Sequence, residues 1–441
     1  MQRVVLAALG LALLARPARA QDLSELEEQF QLFQAEDVVV SASKHEQKAS
    51  EAPSAVYVLT SREIQSSAAL TLSDLLRRVP GMDVYRVNQG YTILGARGQA
   101  NETNNLVLVL LDGREVNIEL FGIPFIEQIP VTLDEIDRIE VIRGPGSALY
   151  GANAFSGVVN IITKKPKDYA GFHSFVAGGT YGNTNVQVRS SGAQDKFGYA
   201  TSARFRRAYM FSDPRSLDAQ DASARALFNY AIADDSALEF DVAFGNSKNE
   251  IFTTIGELPA ELFQSGVRAT YDAGNWRTKL YWNVLDEKLG IQDPTLNPPG
   301  TALNRRILTN LDGLANTYDL ESQYLAQWST NQLIVGGNLR WNAFHSAVLT
   351  DTYSNEYRAG LFVQDEWRAM DNLIVTAGGR LDYYLFESPL CREKDPSVSC
   401  SGEYQSSDPA VSPRLSVVYT PVKDQTFRVS GGRAFRKPAF F

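Results

Sequence analysis

Four glycines, Gly144, Gly146, Gly151 and Gly157, crowd one short stretch between two apolar runs, residues 139–142 and 158–162. A phosphate-cradling loop would need Gly-x-x-x-x-Gly-Lys-Ser/Thr at the start of a helix. No lysine follows these glycines before Lys164. The stretch therefore reads as a turn between strands, with backbone angles that other residues reach only under strain. Cys391 and Cys400 stand close together in a polar region. In an oxidising compartment they either close a small loop or remain two thiols. The three histidines, His45, His173 and His345, are separated from each other and from the cysteines, which is not metal-ligand spacing. No nucleophile–base triad and no acid–base carboxylate pair at a recognisable motif is present, so the expectation is no enzyme, no cofactor and no metal. What remains is binding chemistry. Val38, Val39 and Val40 lie between polar flanks, Glu36-Asp37 and Ser41-Ala42-Ser43. Consecutive valines favour an extended chain. Near a terminus this is either an ordinary first strand or a mobile one that seeks a partner's sheet edge.

The ends and the composition place these groups. Residues 1–20 read as a signal peptide: Arg3, an apolar run from Val4 to Ala15, then the small-x-small site Ala18-Arg19-Ala20. About twelve apolar residues cannot span a bilayer that needs ~20. The mature chain is expected to begin at Gln21 and to lie outside the inner membrane. Aromatics make up 10% of the 441 residues, and the formal charge of -9 argues against nucleic acid as a partner.

The elements that must position these groups fall into two kinds. Residues 50–166 mix short strands and helices. Residues 53–60 read as a strand, with Ser61 a candidate cap for the helix that follows. Residues 71–79 form a second helix, with Leu72, Leu75 and Leu76 on one face and Pro80-Gly81 as its stop. Residues 106–111 are a continuous apolar run, the pattern of a fully buried strand. From Gly171 onward the pattern changes to period two. Leu238, Phe240, Val242 and Phe244 alternate with Glu239, Asp241, Ala243 and Gly245, and the strands around Phe197 and Trp276 do the same. Such strands suit either a soluble sandwich or a membrane barrel with its apolar side to lipid. Short connectors at 193–195, 233–235, 329–331 and 370–371 alternate with long ones at 209–221, 289–316 and 386–408, which is a barrel habit.

The glycine-rich run Arg-Ile-Glu-Val-Ile-Arg-Gly-Pro at 138–145 resembles the most distinctive plug motif of TonB-dependent outer-membrane receptors. Val-Pro-Gly at 79–81, Arg97-Gly98 and Leu-Leu-Asp-Gly at 110–113 precede it in the family's order. Phe-Val-Gln-Asp-Glu-Trp at 362–367, Gly-Arg-Leu-Asp at 379–382, Ser-Pro-Arg at 412–414 and Gly-Arg-Ala-Phe-Arg-Lys-Pro at 432–438 resemble its barrel motifs. The resemblance implies a small α+β plug domain followed by an antiparallel transmembrane β-barrel. It implies a signal peptide at 1–20, an N-terminal extension at 21–49 with a TonB box at 36–43, the plug at 50–166 and the N-terminal part of the barrel at 170–441. About thirteen strands are expected where the family uses about twenty-two, so the chain reads as a truncated receptor, and a non-functional one is an alternative.

The function implied is energy-coupled import of a scarce nutrient, foremost a ferric siderophore, with cobalamin, haem or an oligosaccharide as alternatives. A passive porin or adhesin barrel is the reading from another class. Asp37, Val38, Val39, Val40, Ser41, Ala42 and Ser43 would bind the TonB protein, which acts with the ExbB–ExbD complex. Arg97 and Arg143 would pair with barrel glutamates, Glu366 among them. Tyr91, Asn101, Asn104 and Phe121, on outer plug loops, would meet the ligand. Outer-membrane lipid would surround a monomer, with the plug base facing the periplasm.

Overall fold

The computed structural model describes residues 38–101, 105–118, 122–209, 217–253, 256–289, 312–346, 350–387, 404–406, 408–422 and 425–437. The signal segment, Asp37, Asn104, Phe121, Cys391 and Cys400 lie outside these residues.

The first part is built on a five-stranded mixed sheet. After two short strands, β1 (Val38–Val39) and β2 (Gln47–Lys48), β3 (Val56–Thr60) leads into helix α1 (Ser61–Ser66). Thr60, not Ser61, caps α1. Its side chain accepts from the Glu63 amide, and the Glu63 carboxylate accepts from the Thr60 amide in return. Thr71 and Asp74 repeat this box on α2 (Leu72–Leu76). β4 (Met82–Arg86) and β5 (Thr92–Ala96) form a hairpin. Then come β6 (Val107–Leu111), β7 (Arg114–Glu115), β8 (Asn117–Ile118), β9 (Ile123–Pro124), β10 (Ile136–Arg143), helix α3 (Ser147–Tyr150) and β11 (Gly157–Thr163). The sheet order is β3-β10-β11-β6-β7, with β11 and β6 parallel.

β6 shows why five apolar residues stand in a row. Val107, Val109 and Leu111 face one core with Leu72, Leu75 and Leu76 of α2. Leu108 and Leu110 face a second core with Val39 and Ala42. Both sides of the strand are dry, so alternation would leave a polar group buried. In the glycine-rich loop, Gly144 (φ 124°) and Gly151 (φ 76°) take angles that a side chain would strain.

The second part is one antiparallel sheet. Its strands are β12 (Gly171–Gly178), β13 (Thr184–Gln194), β14 (Phe197–Tyr209), β15 (Leu217–Ala233), β16 (Ser236–Thr253), β17 (Gly256–Ala273) and β18 (Trp276–Leu289). They continue as β19 (Gly313–Trp328), β20 (Asn331–Ser346), β21 (Thr350–Met370), β22 (Leu373–Glu387), the short β23 (Tyr404–Ser406), β24 (Ala410–Val422) and β25 (Gln425–Gly432). Thirteen strands follow in chain order, and β23 pairs with β22 off that path. Among the described residues β12 and β25 do not pair, so the barrel is not closed.

The alternation sorts the two faces of this wall. Leu238, Phe240 and Phe244 are exposed on the outer side of β16, while Asp241 is buried on the inner side. Trp282, Tyr318, Trp341 and Tyr357 stack across four outer strands with ring centroids 4.9–6.3 Å apart. Arginines and carboxylates line the inner face, against which the first part packs. Among the described residues no helix is long and apolar enough to cross a membrane; this bears on helices only.

Candidate functional site

Residues 39–45 are docked, not free. Beyond the short β1, residues 40–44 form a tight turn in which the Lys44 amide reaches the Val40 carbonyl at 2.7 Å and Lys44 takes φ 63°. Val39, Ser41, Ala42 and Ser43 are fully buried. One carboxylate oxygen of Glu140, on β10, accepts from the amides of Val40 (3.0 Å) and Ser41 (2.8 Å), while Arg138 holds the other oxygen at 2.9 Å. Tyr150 donates to the Ser41 carbonyl at 2.9 Å, and Asn160 donates to the Ser41 hydroxyl at 3.0 Å. The small side chains of Ser41, Ala42 and Ser43 let the backbone approach this closely.

The wall holds the other side of the same segment. Arg414 donates to the Ala42 carbonyl (3.1 Å) and Gln323 to the Lys44 carbonyl (3.1 Å). Lys44 pairs with Glu321 at 2.7 Å, and His45 Nε2 stands 3.2 Å from Glu366. Burial pushes the Lys44 ammonium down to about 8, although Glu321 pulls the other way. Burial also works against charge on His45, but Glu366 and the Glu46 carbonyl outweigh it and hold the ring above its ordinary value. The expected mobile strand is thus replaced by a turn in which the amides of Val40, Ser41, Ser43 and Lys44 have acceptors.

The expected ion pairs of Arg97 and Arg143 are not formed among the described residues. Arg143 donates to the Pro80 carbonyl at 2.8 Å and packs beneath Gly81. Arg97 is exposed at φ 58°, with its amide on the Gly81 carbonyl. Glu366 faces His45 instead. At Asp112, Glu115 and Asp134 the expected polarity is reversed, with the wall supplying the cation and the plug-like part the carboxylate, whereas Lys44 and His45 face the wall carboxylates Glu321 and Glu366. Arg225 on β15 reaches Asp112 at 2.6 Å and forks onto Asp241 at 2.9 and 3.0 Å. Arg340 on β20 reaches Glu115 at 2.7 Å, and Arg189 on β13 reaches Asp134 at 2.5 Å. Asp112, at φ 49°, also caps Thr163 through its amide (2.8 Å) and hydroxyl (2.9 Å). The physical reason lies in the turns. The plug-like part meets the wall through turns rich in carboxylates and bare carbonyls, while the inner faces of β13–β20 project arginines.

The opposite end, where the long connectors emerge, is apolar. Tyr91 packs edge-on to Phe125 at 6.4 Å, in a cluster with Ile118, Leu262, Leu285 and Phe344. Burial pushes the Tyr91 phenol up to about 12. Of the expected ligand contacts, Tyr91 is in this cluster. Asn101 lies aside, donating to Asn105 at 3.2 Å. A cavity of about 50 Å³ opens below, lined in part by Arg114, Ile118, Gln264 and Leu285. Phe125, Leu262, Leu285 and Phe344 were not singled out by their sequence. The available signal is apolar residues in both phases of one strand: Leu262 beside Phe263, and Leu285 beside Val284. Among the described residues no cluster of His, Cys, Asp and Glu could hold a metal.

A family model described as the TonB-dependent Receptor Plug Domain matches residues 48–158, and one for the TonB dependent receptor-like beta-barrel matches residues 161–441. The vitamin B12 transporter BtuB of Vibrio vulnificus is 39% identical over 140 residues, 30% of this chain and 22% of that protein. The Vibrio cholerae protein of the same name is 38% identical over 164 residues, 37% and 25% of the two chains. The ferric enterobactin receptor PfeA of Pseudomonas aeruginosa superposes with a TM-score of 0.67 at 15% identity, over 92% of this chain and 64% of that one. The FrpB iron transporter of Neisseria meningitidis gives 0.69 at 14%, over 87% and 65%. At these identities the structural likeness is one of fold. The matches cover about a quarter of the B12 transporters and under two thirds of these solved chains.

Proposed function

The chain belongs to the TonB-dependent receptor family, and from that premise we propose that it serves energy-coupled import across the outer membrane. The family consists of receptors and transporters, not enzymes, and its barrels lie in the outer membrane. The observation that carries the proposal is the docking of residues 39–45, gripped on one side by Glu140, Tyr150 and Asn160 and on the other by Arg414, Gln323, Glu321 and Glu366. A segment that ties plug to wall is where a pull transmits to both.

In this reading the plug blocks diffusion and the ligand binds at the apolar end near Tyr91. Residues 40–44 then leave their turn, and the segment 37–43 adds as a strand to the edge of TonB, where backbone hydrogen bonds carry the affinity. The release is not free. Hydrogen bonds to a charged group such as Glu140 contribute roughly 1.5–3 kcal/mol each. Ligand binding must shift that balance, and proton-motive force delivered through TonB and its ExbB–ExbD partners does the rest. No bond in the nutrient is broken.

The nutrient is a bulky metal chelate or corrin. A ferric siderophore remains the leading candidate. Cobalamin is the second reading, favoured by the identity to the two B12 transporters. Uptake of radiolabelled ferric siderophores against cyanocobalamin separates them. Deleting Val38, Val39 and Val40 is expected to abolish energy-dependent uptake while leaving ligand binding at the cell surface unchanged. Uptake that survives the deletion removes the proposal.

A further inference from the structure

Glu287 lies on the inner face of β18 and is 1% exposed, yet among the described residues neither carboxylate oxygen has a hydrogen-bond partner. Its register neighbours are Leu262 on β17 and Gly313 on β19. Leu285 precedes it on the same face, and Leu262 and Leu285 belong to the cluster that contains Tyr91 and Phe125. A carboxyl in such a place costs stability unless something pairs with it.

Two further groups flank the patch and share its chemistry. Asn249, 5% exposed, donates its amide nitrogen to the Gly90 carbonyl at 3.3 Å, and its oxygen is left unpartnered. Asn342, 3% exposed and two residues before Phe344, donates to Glu356 at 2.8 Å, and its oxygen too is unpartnered. Because each nitrogen faces an acceptor, the orientation of both amides is fixed, and what each leaves open is an acceptor. The open atoms of Asn249 and Asn342 are therefore acceptors, as are those of an ionised Glu287, and the three stand apart on β16, β20 and β18 of the face that carries the apolar patch.

We propose that Glu287 is a ligand-reading residue whose carboxyl takes an ammonium or other multiply N–H-donating group of the imported molecule, while the patch at Tyr91 and Phe125 takes its apolar body. This rests on the importer reading and adds the chemistry of the cargo: a chelate bearing a donor group, as opposed to an all-acceptor anionic one. A buried site built to meet donors rejects an analogue that lacks them, because its own groups are then left unpaired.

The test uses the full chain in detergent micelles with two probes, ferrioxamine B, a ferric trihydroxamate with one free ammonium, and its N-acetyl derivative. Tryptophan fluorescence reads binding. The expected result is that the wild type binds ferrioxamine B at least about tenfold more tightly than the acetylated form, a difference of about 1.4 kcal/mol. Glu287→Gln should erase that preference. Glu287→Leu should erase it too and melt no lower than the wild type, since it fills an apolar patch. Equal affinities in the wild type, a preference that survives in Glu287→Gln, or a marked loss of thermal stability in Glu287→Leu would each overturn the assignment. The importer reading is judged separately, by uptake in the Val38–Val40 deletant.

Discussion

His45 and Lys44 are adjacent, both buried against wall carboxylates, and they respond to pH in opposite directions. The His45 pKa is raised in the docked state. Docking therefore carries the full benefit of the His45–Glu366 contact below the free-histidine value of about 6.5, and loses it as pH rises through the raised value. Lys44 is lowered to about 8, so its neutral form is favoured when docked, and it strengthens docking only as pH climbs from there. A nitroxide on Val38→Cys, with Cys391 and Cys400 replaced by serine, is expected to gain mobility as pH rises above the ordinary histidine value of about 6.5. In His45→Gln it should stay flat. Equal pH responses in both would dismiss the His45–Glu366 latch. The valines were legible in the sequence because three in a row state a preference. Glu140, Tyr150 and Glu321 were not, because their partners are backbone groups and a lysine about a hundred to almost three hundred positions away.

Elements were read well where local pattern decides them, and less well where close approach does. The alternation in β16 and β18 gave both their extended state and their outer faces. The cap of α1 shifted by one residue because Thr60 and Glu63, not Ser61, have the spacing to satisfy each other's amides. The glycines of the 144–157 loop have separate reasons. Gly144 and Gly151 need positive φ, but Gly157 needs space: a Cβ there would lie 2.8 Å from the Ile142 carbonyl oxygen on the paired strand. Backbone cannot step aside without breaking the β10–β11 ladder, in which Gly157 is opposite Arg143. Gly157→Val is expected to destabilise the plug by about 1–3 kcal/mol. Amide hydrogen exchange at residues 139–142 is the measure, and unchanged protection there would refute the packing argument.

At the scale of the molecule, the plug is held by buried arginines of the wall, and they are unequal to surface pairs. Arg225 is 4% exposed and serves Asp112 of the plug and Asp241 of the wall at once. Arg225→Ala leaves the buried Asp241 and the partly buried Asp112 without that cation, and removing one partner of a buried pair costs about 3–5 kcal/mol. The plug's urea midpoint should fall by the corresponding amount. Lys248–Glu261, half exposed on both sides, is the control, since exposed pairs contribute little and are screened by salt. A midpoint in Arg225→Ala no lower than in Lys248→Ala would mean that the plug is held by packing alone.

The sequence by itself determined the two-part plan, the strand alternation with its apolar outer face, and the membership carried by motifs in their order. These are local properties, set by period, turn chemistry and residues adjacent in the chain. Only the tertiary structure decided that the valine segment is docked, that Asp112, Glu115 and Asp134 take their cations from the wall, and that Glu287 is without a hydrogen-bond partner among the described residues. Each of these depends on residues far apart in sequence meeting inside one low-dielectric space, where a charge is stabilised or stranded by what faces it and not by what precedes it.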